Sequence, residues 1–179
     1  WSFAVAHPEL LSHLVIVNAP HPWTFWRELR SSPAQQAASR YMLLLRSGDA
    51  ERLLSEDGHR RLWELVSGDW GGTALGEEHR RSLREAWAAP GWLAGGLAYY
   101  RASPLYPPAP GDPGAAGLSL DPAAFTVRVP TLVLWGERDR ALLPGCLDGL
   151  DRCVPDREVV RGPEAGHWIV DEQPGLVSS

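Results

Sequence analysis

Residues 129–139 read VPTLVLWGERD, and this stretch decides the fold class of the chain. Its first part, Val129 to Trp135, is predominantly apolar with several β-branched residues, which is typical of a strand buried on both faces of a parallel sheet. Gly136 ends the run, and Asp139 follows shortly after it. We therefore predict a buried strand with an acidic side chain just beyond its carboxyl end, the edge of a parallel sheet at which ligand sites collect.

Two further strand-like segments lie on either side of this stretch. The run HLVIVN at residues 13–18 follows a helix predicted over residues 2–11, and it too has the β-branched character of a strand buried on both faces. The run REVV at residues 157–160 comes after a helix predicted around residues 144–150. A strand, a helix and a strand in succession favour parallel pairing. The fold class is therefore predicted as α/β, with about three parallel strands.

Between the first two predicted strands the sequence has helical periodicity only. Helices are predicted from Ser32-Pro33 to Ser47 and over residues 50–55, 59–66, 76–88 and 90–100. A proline-rich stretch follows, which can form neither a sheet ladder nor a helix. The predicted organisation is a core segment at residues 1–22, an all-helical cap at 23–103, a return linker at 104–128 and a second core segment at 129–179.

The composition excludes several classes of function. The net charge is −5 and all 17 basic residues are arginines scattered along the chain, so we predict no surface for nucleic acid or an anionic membrane. No apolar run approaches the roughly 20 residues needed to cross a bilayer, and the first residues lack the pattern of a signal peptide. We expect a soluble, cytoplasmic protein. Because the chain starts at Trp1 and shows no closing helix after Gly175, we also expect it to be part of a longer one.

The cysteines and histidines give no sign of a metal or cofactor. Cys146 and Cys153 are seven residues apart, which along a helix is about 10 Å and too far for a disulfide. No pair of histidines or cysteines has the spacing of metal ligands. We therefore predict two unpaired cysteines, no metal and no cofactor.

An acid and a histidine follow consecutive predicted strands. Asp139 comes after one, and His167, in EAGHW at residues 164–168, comes after the next. Each alone is most simply a turn residue or a structural histidine. Neighbouring strands lie about 4.8 Å apart, so the two loops can bring the carboxylate against the imidazole. The acid would then fix the histidine tautomer and stabilise the imidazolium that forms when the ring takes a proton from water.

Four motifs in this order resemble the epoxide-hydrolase branch of the α/β-hydrolase superfamily. They are WSFA at residues 1–4, NAPHP at 18–22, GERD at 136–139 and GHW at 166–168. The resemblance implies the C-terminal part of an α/β-hydrolase fold with an inserted cap, and it implies that Asp139 and His167 belong to a catalytic triad. It also implies that Tyr41 and Tyr100 donate hydrogen bonds to the epoxide oxygen, with Tyr99 as the alternative to Tyr100. Expected substrate-binding residues are Trp168, Tyr99 and Pro20.

The family nucleophile is an aspartate in an HDWGG elbow before the helix that WSFA resembles. We therefore expect the nucleophile to precede Trp1, and the 179 residues alone to be inactive. The motif GDWGG at residues 68–72 looks like the elbow, but it follows a segment of helical periodicity rather than a buried strand. We interpret it as a cap loop.

The reaction that the resemblance implies is hydrolysis of an epoxide to a vicinal diol through a covalent alkyl ester. A small apolar epoxide and water would be the partners, and a homodimer is considered. A dehalogenase of haloalkanes or haloacids is the nearest alternative, although a leaving halide favours N–H donors over phenols. An esterase needs Gly-X-Ser-X-Gly, which these residues do not contain. A non-catalytic fragment or a ligand-binding pseudoenzyme is the alternative of another class.

Overall fold

The computed structural model of the chain describes residues 1–69 and 76–178, with residues 68 and 69 as backbone. Three parallel strands form its sheet: β1 (Leu14–Val17), β2 (Thr131–Gly136) and β3 (Arg157–Gly162), with β2 in the centre. The register places Val17 opposite Leu134, and Leu134 opposite Val160. Val133 and Trp135 of β2 are fully buried. The predicted fold class is confirmed.

β1 differs from its prediction. The side chain of Val15 is 58% exposed, so within the described residues this strand is not buried on both faces. The reason is that Val15 faces a side of the sheet that the described helices leave open. The β-branched run predicts the strand correctly, but the burial of each face depends on elements that are distant in sequence.

One short helix precedes the sheet, and six more lie between β1 and β2. Helix α1 (Ser2–Ala6) is shorter than the predicted helix over residues 2–11, because a 3₁₀ turn at Pro8–Leu10 ends it. We name the described residues of this part of the chain, 22–69 and 76–102, the helical segment. It contains α2 (Pro22–Ser31), α3 (Pro33–Ala38), α4 (Tyr41–Arg46), α5 (Ala50–Glu64), α6 (Glu77–Trp87) and α7 (Trp92–Ala102).

Two breaks in the helical segment test the sequence prediction. The helix predicted from Pro33 to Ser47 is divided into α3 and α4. At the break, the carbonyl oxygens of Ala37, Ser39 and Arg40 accept hydrogen bonds from the N–H three residues on instead of four. In contrast, the predicted break inside residues 50–66 is present. There α5 has positive φ at Asp57, Gly58 and His59, which L-residues rarely adopt inside a helix.

The connection between β2 and β3 is less regular than predicted. The helix predicted around residues 144–150 is two 3₁₀ turns, Pro144–Leu147 and Leu150–Arg152, separated by Gly149 with a φ of 69°. The chain also has two short helices after β3, α8 (Ile169–Glu172) and α9 (Pro174–Val177), which the sequence analysis did not anticipate. Both are single turns, too short for hydrophobic periodicity to reveal.

Two hydrophobic clusters hold these parts together. One packs α2 and the return linker against the sheet, and the other lies within the helical segment around Leu54 and Trp87. Tyr41 and Tyr100 contact both clusters. The two tyrosines therefore lie where the helical segment meets the sheet. Within residues 1–69 and 76–178, no helix combines the length and apolar character of a membrane span.

Candidate active site

Asp139 is a fully enclosed carboxylate at the carboxyl end of β2. Its side chain has no exposed surface. Oδ1 accepts hydrogen bonds from the backbone N–H groups of Ala141 and Leu142, at 2.8 and 2.9 Å. Oδ2 lies 2.8 Å from Nδ1 of His167. A carboxylate held by three such contacts has a fixed orientation.

His167 meets this carboxylate from the loop after β3. An ionised carboxylate can only accept, so Nδ1 of the imidazole carries the proton and Nε2 is the basic nitrogen of the neutral ring. The loop passes very close to β2 at Gly136. A Cβ on Gly136 would lie 2.7 Å from the carbonyl oxygen of Ala165 and closer still to that of Gly166. Glycine at position 136 therefore permits the approach that brings His167 to Asp139.

Asn18, at the end of β1, joins the ends of all three strands. Its Nδ2 donates to the carbonyl oxygens of Gly166 and His167, at 2.7 and 3.0 Å, and lies 3.4 Å from Oδ2 of Asp139. Its Oδ1 accepts from the N–H of Gly136 at 2.7 Å. Asn18 is the first residue of the NAPHP motif, and no role was predicted for it from the sequence. The available signal was a polar residue directly after a β-branched run, with an amide that can donate and accept at once.

The predicted tyrosines come together above this edge of the sheet. The rings of Tyr41, at the start of α4, and Tyr100, in α7, lie edge to face with centroids 6.2 Å apart. Burial raises the pKa of both phenols. Tyr99 is 75% exposed and packs edge to face on Tyr100. Tyr100 rather than Tyr99 therefore contacts Tyr41.

Arg46 fixes the end of the helix that carries Tyr100. Its guanidinium donates to the carbonyl oxygens of Tyr100, Arg101 and Ser103, which are otherwise without helical partners. It also lies 3.7 Å from the ring centroid of Tyr106. Because Arg46 belongs to α4, it ties the C-terminus of α7 to the helix that begins with Tyr41.

A cavity of about 420 Å³ opens between these groups. His167, Tyr41, Tyr99 and Tyr100 line it, together with Asn18 and Pro20. The rest of the wall is mainly apolar and includes Trp1, Phe25, Met42, Leu105 and Leu142. The structure thus brings Asp139, His167, Tyr41, Tyr100, Tyr99 and Pro20 to one place. Apolar surroundings of this kind strengthen polar interactions beside them.

Trp168 lies elsewhere than the sequence analysis expected. Its ring packs edge to face on His167, with centroids 5.1 Å apart. However, the indole N–H donates to the carbonyl oxygen of Val66 at 2.9 Å, and the side chain belongs to a separate small pocket beside His79. Among the described residues, the cavity wall does not include Trp168. It connects the histidine loop to the helical segment instead.

The remaining sequence predictions concern the GDWGG motif, the cysteines and metals. The motif at residues 68–72 lies outside the residues whose side chains are described. Cys146 and Cys153 are buried and unpaired, and burial raises the pKa of both thiols. In residues 1–69 and 76–178, no cluster of three or more histidine, cysteine or acidic side chains is arranged to hold a metal ion.

Comparisons with known proteins find relatives that align along nearly the whole chain. No protein-family model matches the chain. Epoxide hydrolase 3 of Xenopus tropicalis is 30% identical over 187 aligned residues, which cover 99% of the chain and 47% of that protein. An AB hydrolase superfamily protein of Bacillus subtilis is 28% identical, over 99% of the chain and 58% of that protein. The chain therefore spans about half the length of the curated relatives it matches.

Solved structures give the same result. An epoxide hydrolase from metagenomes of hot environments is 32% identical with a TM-score of 0.85, over 99% of the chain and 60% of that structure. The Bacillus megaterium epoxide hydrolase in complex with an inhibitor is 28% identical with a TM-score of 0.82, over 99% of the chain and 62% of that structure. A haloalkane dehalogenase variant from Bradyrhizobium elkanii, at 19% identity and a TM-score of 0.68, shares the fold alone.

Proposed function

The chain is similar to epoxide hydrolases of the α/β-hydrolase superfamily along nearly its whole length, and on that premise we propose that the whole protein hydrolyses an epoxide to a vicinal diol. The observation that carries the proposal is the 2.8 Å contact of Asp139 with His167 at a cavity whose wall includes Tyr41 and Tyr100. A basic histidine and two neutral phenols at one apolar cavity match the acid–base requirements of ring opening by addition of water.

In the first step, a carboxylate nucleophile outside the described residues attacks an epoxide carbon. The carbon–oxygen bond of the ring breaks as an ester bond forms, and negative charge develops on the departing oxygen. Tyr41 and Tyr100 donate hydrogen bonds to that oxygen, and one of them transfers its proton. Their raised pKa values keep both phenols protonated at neutral pH, so that they are donors when the substrate arrives.

In the second step, His167 activates water. Nε2 removes a proton from a water molecule, whose oxygen attacks the ester carbonyl carbon. Asp139 stabilises the imidazolium that results, and the hydrogen bonds to its own carboxylate hold it in place. Breakdown of the tetrahedral species expels the diol oxygen, which takes up the remaining proton of the water molecule, and so restores the carboxylate. The proton held on His167 passes to the tyrosinate formed in the first step.

In this proposal the predicted cap, residues 23–103, covers the site, and it contains nearly all of the helical segment. Its apolar contribution to the wall, including Phe25 and Met42, favours a small apolar epoxide and excludes bulk water. Cleavage of a carbon–halogen bond is less well supported. The indole N–H groups of Trp1, in the cavity wall, and of Trp168, beside His167, both donate to backbone carbonyl oxygens rather than towards a leaving halide.

The test uses the whole protein with styrene oxide as the substrate. Tyr41→Phe should lower the turnover number by about one to three decades, because it removes one donor to the developing oxyanion. The matched control is Tyr106→Phe, because the Tyr106 hydroxyl contacts only the exposed carboxylate of Asp112 among the described groups and lies outside the cavity wall. An unchanged rate in Tyr41→Phe would remove this tyrosine from the proposed mechanism.

The covalent intermediate has a separate test. In His167→Gln the second step is blocked while the first proceeds, so mass spectrometry should detect the whole protein with one substrate molecule attached. Residues 1–179 alone should neither form the adduct nor release diol. Absence of an adduct in His167→Gln, with diol still produced by the wild type, would favour direct attack of water instead.

A further inference from the structure

Gln35 is a completely buried polar residue outside the cavity wall. It lies in α3 with no exposed surface. Its Nε2 donates to the hydroxyl of Ser39 at 2.9 Å and to the carbonyl oxygen of Ala141 at 2.7 Å. Its Oε1 accepts from the N–H of Leu143 at 2.9 Å and from the thiol of Cys146 at 3.4 Å. All the hydrogen-bonding capacity of the amide is therefore used.

These four partners lie on two sides of the site. Ala141 and Leu143 belong to the loop that follows Asp139, and the residue between them, Leu142, donates its N–H to the Asp139 carboxylate. Ser39, in contrast, lies in the turn that separates α3 from α4. Gln35 thus contacts the acid loop through one set of hydrogen bonds and the turn before Tyr41 through another.

The geometry points to Gln35 as a positioning residue that holds the Asp139 loop and the Tyr41 turn in one fixed arrangement. This role rests on the proposed function, because it assigns Tyr41 and Asp139 to the same reaction. The distance between a phenol that binds the epoxide and the acid that orients His167 depends on how the helical segment sits against the loop. In the structure, the Gln35 amide is hydrogen-bonded both to the Asp139 loop and to Ser39 in the turn before Tyr41.

Only a neutral amide fits this place. The carbonyl oxygen of Ala141 can only accept and the N–H of Leu143 can only donate, so the amide must present nitrogen to one and oxygen to the other. The raised pKa of Cys146 keeps its thiol protonated as a donor. A glutamate would face the Ala141 oxygen with a second acceptor, and an apolar side chain would leave buried backbone groups without partners.

The neighbouring glutamine provides a matched control. Gln36 is partly buried in the same helix, and its Nε2 donates to the carbonyl oxygens of Leu29 and Arg30 at the end of α2. It thus joins one helix of the helical segment to another, and its hydrogen bonds within the described residues do not reach the acid loop. Gln36→Met should weaken packing within the helical segment and leave the Asp139 loop unchanged.

The experiment compares Gln35→Met with Gln36→Met in the whole protein, because methionine keeps the length and volume of the side chain. With styrene oxide, Gln35→Met should lower kcat roughly tenfold to hundredfold, since small displacements of catalytic groups have effects of this size. KM should change by less than about threefold, because the apolar wall remains. Gln36→Met should have the kcat of the wild type.

Backbone hydrogen exchange supplies a readout that does not depend on activity. In Gln35→Met the amides of Ala141, Leu142 and Leu143 should exchange at least about tenfold faster, whereas those of β2 and β3 should not change. Equal acceleration throughout the sheet would indicate a general loss of stability and overturn the inference. So would a kcat in Gln35→Met equal to that in Gln36→Met.

Two further outcomes, a Gln35→Met variant that does not fold and a wild type without epoxide hydrolysis, lead to different conclusions. If Gln35→Met does not fold, Ser39→Ala removes only the contact to the Tyr41 turn, and it should lower kcat severalfold with the Asp139 loop still protected. If the wild-type whole protein does not hydrolyse any epoxide, the proposed function fails. The exchange of the three loop amides in Gln35→Met then decides whether Gln35 holds the acid loop.

Discussion

Replacement of Asn18 should destabilise the protein by loosening the ends of all three strands. The side chain makes three hydrogen bonds of 3.0 Å or less, to Gly136, Gly166 and His167. At a net contribution of about 1 kcal/mol each, their loss in Asn18→Gly should lower the free energy of unfolding by about 3 kcal/mol. The longer contact to Asp139, at 3.4 Å, adds little.

The backbone of Asn18 increases the cost of an alanine. Its φ is 41°, in the left-handed region that glycine adopts freely and asparagine tolerates. Asn18→Ala should therefore be less stable than Asn18→Gly by roughly 1 kcal/mol. The difference between the two variants separates backbone strain from the loss of hydrogen bonds. Both should also lower epoxide turnover, because the carbonyl group of His167 loses its anchor.

Urea denaturation of the whole protein, followed by tryptophan fluorescence, measures these changes. Ser12→Ala is a suitable control, because Ser12 is exposed near the opposite end of β1, and it should stay within about 0.5 kcal/mol of the wild type. A loss below about 1 kcal/mol in Asn18→Gly would refute the reasoning. It would mean that the three strand ends are held by other contacts.

Two other predictions concern His21 and Gly136. Burial lowers the pKa of His21 to about 4, so between pH 6.5 and 4 the unfolded chain binds a proton that the folded one does not. Stability should therefore fall as the pH falls through this window, by up to about 3 kcal/mol, and urea denaturation should show a weaker pH dependence in His21→Asn. Gly136→Ala should cost about 3 kcal/mol in the same assay, because its Cβ would overlap the backbone before His167. Gly95→Ala, in α7 with nothing near its Cβ, should raise stability by roughly 0.5 to 1 kcal/mol. A stable Gly136→Ala, or a pH profile unchanged in His21→Asn, would contradict these expectations.

Local patterns in the sequence were sufficient for the sheet and for several boundaries. The apolar run before Gly136 predicts β2, and the acid and the histidine that follow successive strands predict which loops come together. The break inside residues 50–66 was also predicted, because Asp57-Gly58 favours a turn. Where helices are single turns, as at α8 and α9, hydrophobic periodicity carries too little information to reveal them.

The contacts of single polar side chains were beyond the sequence. Asn18 bonds to residues more than 100 positions away, and so does Gln35. In the sequence, the first is one polar residue after a strand and the second is one of two adjacent glutamines in a helix. Trp168 illustrates the same limit, since its place beside Val66 rather than in the cavity depends on how the helical segment packs.

The sequence by itself determined the α/β class, the order of acid and histidine, and the helical character of the described residues between 23 and 100, because strand and helix periodicity and turn residues act over short distances along the chain. Only the tertiary structure decided that Tyr100 rather than Tyr99 meets Tyr41, and that Asn18 and Gln35 hold the ends of strands and loops. These arrangements depend on hydrogen bonds and packing between segments that are distant in sequence, and such contacts leave no periodic trace in any one segment.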